Sequence, residues 1–341
     1  MSGGVDSSVT AALLKEQGYG VHGFFMALAQ PDLEQQIIRV RQVAVRLEVE
    51  LEVVDFAEPF QRLILDYFVT GYRQGRTPNP CVICNRAVKT GLLLDLSRAR
   101  GCDFLATGHY ARIEAGEEGR FHLRQGADPR KDQSYFLCRL DQARLAGLRT
   151  PLGRYTKDEV YRMAAARGLT GVHGKESQDV CFLQNETLEA FFARHSRDDL
   201  PAGLITLADG TVKGRHQGIH RFTVGQRRGL GIPDATPYYV VGLDCDHNRV
   251  VVGKKEDLFQ QTMTLRQPHW LAGEPPVLPG RFLAKIRFRH QPAPATVRPD
   301  ERGADRLRVE FDQPQRAVTP GQFAVFYRDD EVMGSGEICE E

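Results

Sequence analysis

Apolar residues recur at helical spacing and then in short continuous runs through the first half of the chain. Val9, Ala12 and Leu13 share one face and predict a helix over 8–17, and an apolar strand follows at Val21–Met26. A helix is predicted at about 33–47, with Ile37, Val40, Ala44 and Leu47 on one face. A strand at Leu51–Val54, a helix at about 58–73, a turn-rich loop over 75–83, a helix over 85–99 and a strand at Phe104–Thr107 complete the series. Strands separated by helical segments of this length form βαβ units and a parallel sheet. The stretch 131–195 reads as mostly helical, with Thr156 capping a helix over Lys157–Arg167.

Beyond about residue 200 the texture changes. Short runs at Leu204–Leu207, Tyr238–Leu243, Val250–Val252, Leu283–Phe288, Leu307–Phe311 and Ala324–Tyr327 are separated by Gly, Pro and Asp. This half is expected to be all-β, in two small modules. Their boundary falls near 262–280, where Pro268, Pro275, Pro276 and Pro279 cluster. The chain shows no internal repeat and no low-complexity tract.

At 341 residues, 41% of them hydrophobic, the chain has room for two or three soluble domains. No apolar run approaches the roughly 18 residues of a membrane helix, and no signal peptide is visible. A net charge of +1 favours no polyanion partner overall, but the bases are unevenly placed. Lys213, Arg215, Arg221, Arg227 and Arg228 face only Asp209 between Gly203 and Ile232. Arg281, Lys285, Arg287, Arg289 and Arg298 have no acid among them between Arg281 and Pro299. Such stripes on a neutral chain are the footprint of a polyanion site. Seven irregularly spaced cysteines without a secretory signal point to a reducing, cytoplasmic compartment.

The chemistry begins at the first residues, Ser2-Gly3-Gly4-Val5-Asp6-Ser7-Ser8. Two glycines let the backbone approach an anion, the serines add hydroxyl donors, and the next helix points its free N–H groups back at the loop. The string lacks the lysine of a Walker A loop and does not fit G-x-G-x-x-G. It resembles the PP-loop of the ATP pyrophosphatase superfamily, enzymes that cleave ATP between the α and β phosphates. A phosphate loop in an α/β fold normally follows a buried strand. None precedes Ser2, so the first strand is expected to be missing. The reading frame is then expected to begin upstream by about 6–10 residues, the length of an ordinary strand.

The loop Gly75-Arg76-Thr77-Pro78-Asn79-Pro80-Cys81-Val82-Ile83-Cys84-Asn85 is stiffened by its two prolines. It is expected to place Cys84 at a helix start, where the dipole favours thiolate. A Cys-x-x-Cys there also fits a redox pair or half a metal site; without a second such pair, a four-cysteine zinc site is not expected. Cys181 lies in Glu176-Ser177-Gln178-Asp179-Val180-Cys181-Phe182. Cys102, Cys138, Cys245 and Cys339 read as structural or incidental.

Together with ATGHY at 106–110, KDQSYFL at 131–137, HQGIHRFTVGQRRGLGI at 216–232 and TPGQFAVFY at 319–327, these strings occur in order. The whole chain closely resembles the tRNA-specific 2-thiouridylase family, which thiolates the wobble uridine of certain tRNAs. The resemblance implies a PP-loop (adenine nucleotide alpha hydrolase-like) α/β domain over 1–198, a central β domain over 199–264 and a C-terminal β-barrel over 265–341. It implies Cys84 as nucleophile and Cys181 as persulfide carrier. ATP is implied at Ser2, Gly3, Gly4, Val5, Asp6, Ser7 and Ser8, with Met26 and Gly108 beside the adenosine and Mg²⁺ accompanying the phosphates. Asn79, Pro80 and Cys81 would face the target base. Lys131, Asp132, Gln133, Arg287 and Phe288 would meet tRNA, and His109 and Gln322 the uridine and its surroundings. The sulfur would come from a persulfide donor, a cysteine desulfurase or a sulfur-relay protein.

One departure concerns Cys81, where the family often carries an acid. Related tRNA-thiolating enzymes use three thiolates to hold a [4Fe–4S] cluster, so Cys81, Cys84 and Cys181 form an alternative cluster site. A tRNA-binding homologue impaired by the missing strand, or another PP-loop tRNA-modifying enzyme, are the alternative functions.

Overall fold

The computed structural model describes residues 1–28, 30, 32–169, 180–183, 186–195 and 201–340. The first helix, Val5–Glu16, starts directly after Gly4 and earlier than its apolar face suggests. Strands β1 (His22–Ala27) and β2 (Glu50–Asp55) pair in parallel from His22↔Glu50 to Ala27↔Asp55, with helix Leu33–Arg46 between them. Strands β3 (Leu105–Ala106), β4 (Ala111–Ala115), β5 (Phe121–Gln125) and β6 (Leu148–Arg149) follow, and β3 pairs in parallel with β6. Among the described residues the parallel sheet is thus in two separate two-stranded pieces, with no strand ahead of the Gly3-Gly4 loop. The amino group of Met1 donates to the carbonyl of Phe24 in β1.

Two long helices bring the chemistry together. The first spans 57–73 and carries a π-helical stretch at Gln61–Leu65. The second spans 80–99 and is π-helical over Asn85–Leu93. The second begins at Pro80, inside the stretch expected to be loop. The Oδ1 of Asn79 caps it by accepting from the N–H of Val82 at 3.4 Å, and Pro80 at the first position has no N–H to leave unpaired.

The stretch 131–195 is less helical than its composition suggests. Its described part contains the short helices Gln142–Gly147, Lys157–Ala166 and Leu188–His195 joined by 3₁₀ turns. Only Lys157–Ala166 has a full capping box, between Thr156 and Glu159.

The central β domain carries β7 (Gly203–Thr206), β8 (Val212–His216), β9 (Tyr239–Asp244) and β10 (Arg249–Gly253), in the order β8-β7-β10-β9. Ile205, Val240, Val250 and Val252 are fully buried at its core. The last six strands are β11 (Phe259–Trp270), β12 (Gly280–Lys285), β13 (Ala293–Asp300), β14 (Gly303–Arg316), β15 (Phe323–Arg328) and β16 (Glu331–Cys339). They run β11-β14-β13-β12-β15-β16, and β16 pairs back with β11 to close a barrel. β11 runs unbroken through 264–265, and Pro275, Pro276 and Pro279 lie in the connection to β12.

The barrel is bolted to the first domain. The β4–β5 hairpin, absent from the sequence reading, joins β16 through Arg124↔Glu331. Arg124 bonds Asp330 at 2.7 Å and Glu331 at 3.1 Å. Leu123, Tyr135 and Leu137 of the first domain share one core with Phe323, Val325 and Tyr327 of β15. Burial of this kind stabilises by about 25 cal/mol per Å² of apolar surface and fixes the barrel relative to the active half.

Candidate active site

Gly3 takes φ +73°, so the loop turn favours glycine by conformation. Ser7 and Ser8 donate to the carbonyl of Gly4 at 3.0 and 2.9 Å, and the N–H of Ser2 donates to Ser7 Oγ at 3.0 Å. Val5 and Asp6 open the helix with their N–H groups directed at the loop. Asp6 accepts from Lys157 Nζ at 2.7 and 2.9 Å and from the Tyr110 hydroxyl at 2.7 Å. Gly108 comes against the same residue, since a Cβ on it would lie 3.0 Å from the Cβ of Asp6. Met26, on β1, is half-buried between the two main cores of the domain. The structure therefore brings Gly108 against the Ser2–Ser8 loop, while Met26 packs against the cores behind β1.

The 75–80 segment is held by all three domains. The N–H of Thr77 donates to Pro320 O at 2.8 Å, and Gln322 Nε2 donates to Thr77 O at 2.8 Å. Gly321, at φ +90°, lies so close that a Cβ would be 3.0 Å from the backbone of Thr77. Thr77 Oγ1 also bonds Thr223 Oγ1 of the central domain at 3.1 Å. Arg76 pairs with the buried Glu337 of β16 at 2.9 Å. Backbone and side chains are thus fixed before Asn79 and Pro80 turn the chain into the helix.

Cys84 does not lie at the helix start. It follows one turn into the 80–99 helix, buried against Phe60, Phe68 and Val88. Burial pushes its thiol up to about 12 and that of Cys81 to about 11, with Cys181 raised for the same reason. Desolvation here outweighs the helix dipole, which corrects the expectation of a dipole-stabilised thiolate. The three thiols act on one another electrostatically, and Lys89 opposes the rise at each of them. Cys181 reaches solvent although its thiol is crowded by neighbouring atoms, and Phe182 beside it is buried in the cluster that holds Cys84. Phe182 meets Phe68 at 5.1 Å, Phe191 at 5.3 Å and Phe60 at 6.0 Å between ring centroids. This aromatic plug carries Cys181 to Cys84 and Cys81. The motif residues 175–179 lie outside the described residues.

Among the described residues no group of three or more His, Cys, Asp or Glu is arranged to hold a metal ion. Cys81, Cys84 and Cys181 do not form such a group among the described residues.

The residues expected to meet tRNA divide into two groups. Asp132 is buried and accepts from the N–H groups of Gly126 at 3.1 Å and Ser134 at 3.0 Å, so it shapes its turn. Gln133 accepts from the Tyr110 N–H at 3.0 Å, and the half-buried Lys131 precedes that pair. Phe288 packs against Phe136 with ring centroids 4.4 Å apart and the rings tilted, and Arg287 donates to the carbonyl of Arg316 at 3.0 Å. His109 is buried beside Thr107, with its Nδ1 2.8 Å from Thr107 Oγ1. Desolvation, with Lys89 adding to it, pushes its imidazole down to about 3. Sequence reasoning missed Lys89, Lys157, Thr223 and the Phe182 plug. The only signal for the last was four phenylalanines at 182, 191, 192 and 68.

No helix in the described residues is long and apolar enough to cross a membrane. Residues 1–185 match the family described as tRNA methyl transferase HUP domain, 189–254 its PRC-barrel domain, and 260–338 the aminomethyltransferase beta-barrel domain. The chain is 46% identical to tRNA-specific 2-thiouridylase MnmA of Desulfotalea psychrophila, covering 99% of this chain and 97% of that protein. It is also 46% identical to the protein of that name from Geobacter metallireducens, over 99% and 95%. With that of Moorella thermoacetica it shares 43% identity over 99% and 98%.

Proposed function

The chain belongs to the tRNA-specific 2-thiouridylase family, and on that premise we propose that it is an ATP-dependent sulfurtransferase forming 2-thiouridine at the wobble position of tRNA. The observation that carries the reading is the docking of Cys181, through Phe182, onto the cluster that buries Cys84. Two cysteines distant in sequence are brought to one helix, beside a loop fixed by three domains.

The C2 oxygen of uracil is a poor leaving group. It attacks the α-phosphorus of ATP, the bond to the β-phosphate breaks, and pyrophosphate leaves with the electron pair, while the N3 proton passes to solvent. Ser2 through Ser8 receive the phosphates, with Met26 and Gly108 beside the adenosine, and Mg²⁺ enters with ATP on phosphate and water oxygens. The terminal sulfur of a persulfide on Cys181 then attacks C2 and AMP departs. The Cys84 thiol gives its proton to solvent as its sulfur attacks the Cys181 sulfur, which breaks the S–S bond and leaves the second sulfur on C2. A Cys84–Cys181 disulfide remains, to be reduced by an external thiol. The persulfide comes from a cysteine desulfurase or a sulfur-relay protein.

The target base must leave the anticodon stack to reach Asn79, Pro80 and Cys81. The buried, neutral His109 suits a hydrogen-bond partner for a neutral base edge, and Lys131, Gln133, Arg287 and Phe288 form the wider contact face. Incubating the full chain with tRNA, Mg·ATP and a persulfide tests the reading. One AMP and one pyrophosphate per thiolated tRNA are expected. Sulfur incorporation without AMP formation would overturn it.

A further inference from the structure

Lys89 lies five residues after Cys84, within the π-helical stretch Asn85–Leu93. In an α-helix a residue five positions on points well away from its predecessor. The i→i+5 bonding of a π-helix instead sets such residues one above the other. The register is visible at the neighbouring pair, where Thr90 Oγ1 donates to Asn85 O, five residues back, at 2.7 Å. The π segment therefore turns Lys89 onto the face of Cys84.

The ammonium is half-buried and has no hydrogen bond or ion pair among the described residues. Around it are Cys81 and Cys84 of its own helix, Cys181 from the segment docked by Phe182, and His109 from the loop after β3. His109 directly follows Gly108, which touches Asp6 of the phosphate loop. Lys89 thus lies near the sulfur-bearing cysteines and near His109, whose chain neighbour Gly108 meets the phosphate loop. An unpartnered cation held partly out of water calls for an anion, and the three thiols around it are pushed toward neutrality.

We propose that Lys89 is a catalytic residue that binds a non-bridging oxygen of the nucleotide α-phosphate. The inference rests on the thiolation reading. During adenylation the ammonium neutralises charge building on the five-coordinate phosphorus. In the next step it holds the same oxygen as the C2–O bond breaks and AMP carries off the electron pair. No proton need be exchanged. One group serves both steps because the α-phosphate stays in place while its partners change.

Binding of AMP and of adenosine to the full chain, with saturating tRNA, separates this role from others. The wild type is expected to prefer AMP about tenfold, as for one charged hydrogen bond, and Lys89→Met to abolish that preference with adenosine affinity unchanged. Lys89→Arg should restore part of the preference. In turnover, Lys89→Met is expected to lower kcat for AMP formation about 100-fold and to raise the KM for ATP by no more than the roughly tenfold lost on AMP. If Lys89→Met also lost adenosine, Lys89→Gln would carry the same comparison. A preference for AMP that survives both neutral variants overturns the proposal, as does a wild type indifferent to the phosphate. A wild type that binds neither compound overturns the thiolation reading itself.

Discussion

Gln322 of the barrel donates its Nε2 hydrogen to the carbonyl oxygen of Thr77 at 2.8 Å, across 245 residues of sequence. That bond, with the one from Thr77 N–H to Pro320 O, sets the loop entering the 80–99 helix. The barrel therefore braces the segment that leads into Cys81 and Cys84.

Gln322→Ala is expected to remove about 1 kcal/mol of stability and to loosen residues 75–80. Amide exchange over that segment should accelerate, and kcat for thiolation should fall several-fold. Reduced tRNA affinity with unchanged exchange at 75–80 would instead make Gln322 a direct RNA contact.

The cysteines should sort by position. Cys84→Ser and Cys181→Ser are each expected to abolish thiolation, whereas Cys138→Ser and Cys245→Ser keep it. Cys138 is fully buried away from the site and Cys245 is exposed on the central domain, so their loss touches stability or nothing. Full thiolation by Cys181→Ser with a persulfide donor would remove the sulfur route proposed above.

The two basic residues flanking Phe288 should behave differently. Arg289 is exposed, while Arg287 spends part of its guanidinium on the carbonyl of Arg316. Arg289→Ala is expected to weaken tRNA binding and lower the salt slope by roughly 0.7–0.9, the contribution of one phosphate contact. Arg287→Ala should cost less slope and some thermal stability. Identical salt dependence in the wild type and both variants would make this stripe a solvated face.

Much of this was legible in the chain because glycine, proline and cysteine impose local geometry that no distant contact reverses. Gly3-Gly4, the proline-stiffened loop at Pro78 and Pro80 and the late β runs are of that kind, although the helix begins at Pro80, earlier than expected. The reactivity of Cys84 was misread because position in a helix is local, whereas burial depends on Phe60, Phe68 and Phe182 from elsewhere. Lys89 was invisible for another reason. Its alignment with Cys84 exists only in a π-helix, and neither periodicity nor propensity marks where an α-helix widens. The β4–β5 hairpin escaped because β16, its partner, lies about two hundred residues away.

The last expectation concerns pH. Burial holds the His109 imidazole at about 3, whereas an unfolded histidine titrates near 6.5. Between those values the unfolded state binds the extra proton, so stability is full above about pH 6.5 and falls as pH drops toward 3. Each such histidine contributes up to about 1.4 kcal/mol per pH unit across that window. His290 is held at about 4, and His216, His220 and His269 are lowered too, so the wild type alone cannot apportion the loss. His109→Asn keeps a partner for Thr107 Oγ1 and removes the titration. Its melting temperature should therefore decline less steeply than that of the wild type between pH 6.5 and 4.5. The ring itself should stay neutral in nuclear magnetic resonance spectra throughout that range. A His109 signal titrating near 6.5 would mean that water reaches the imidazole, and the neutral partner assigned to the base edge would be lost with it.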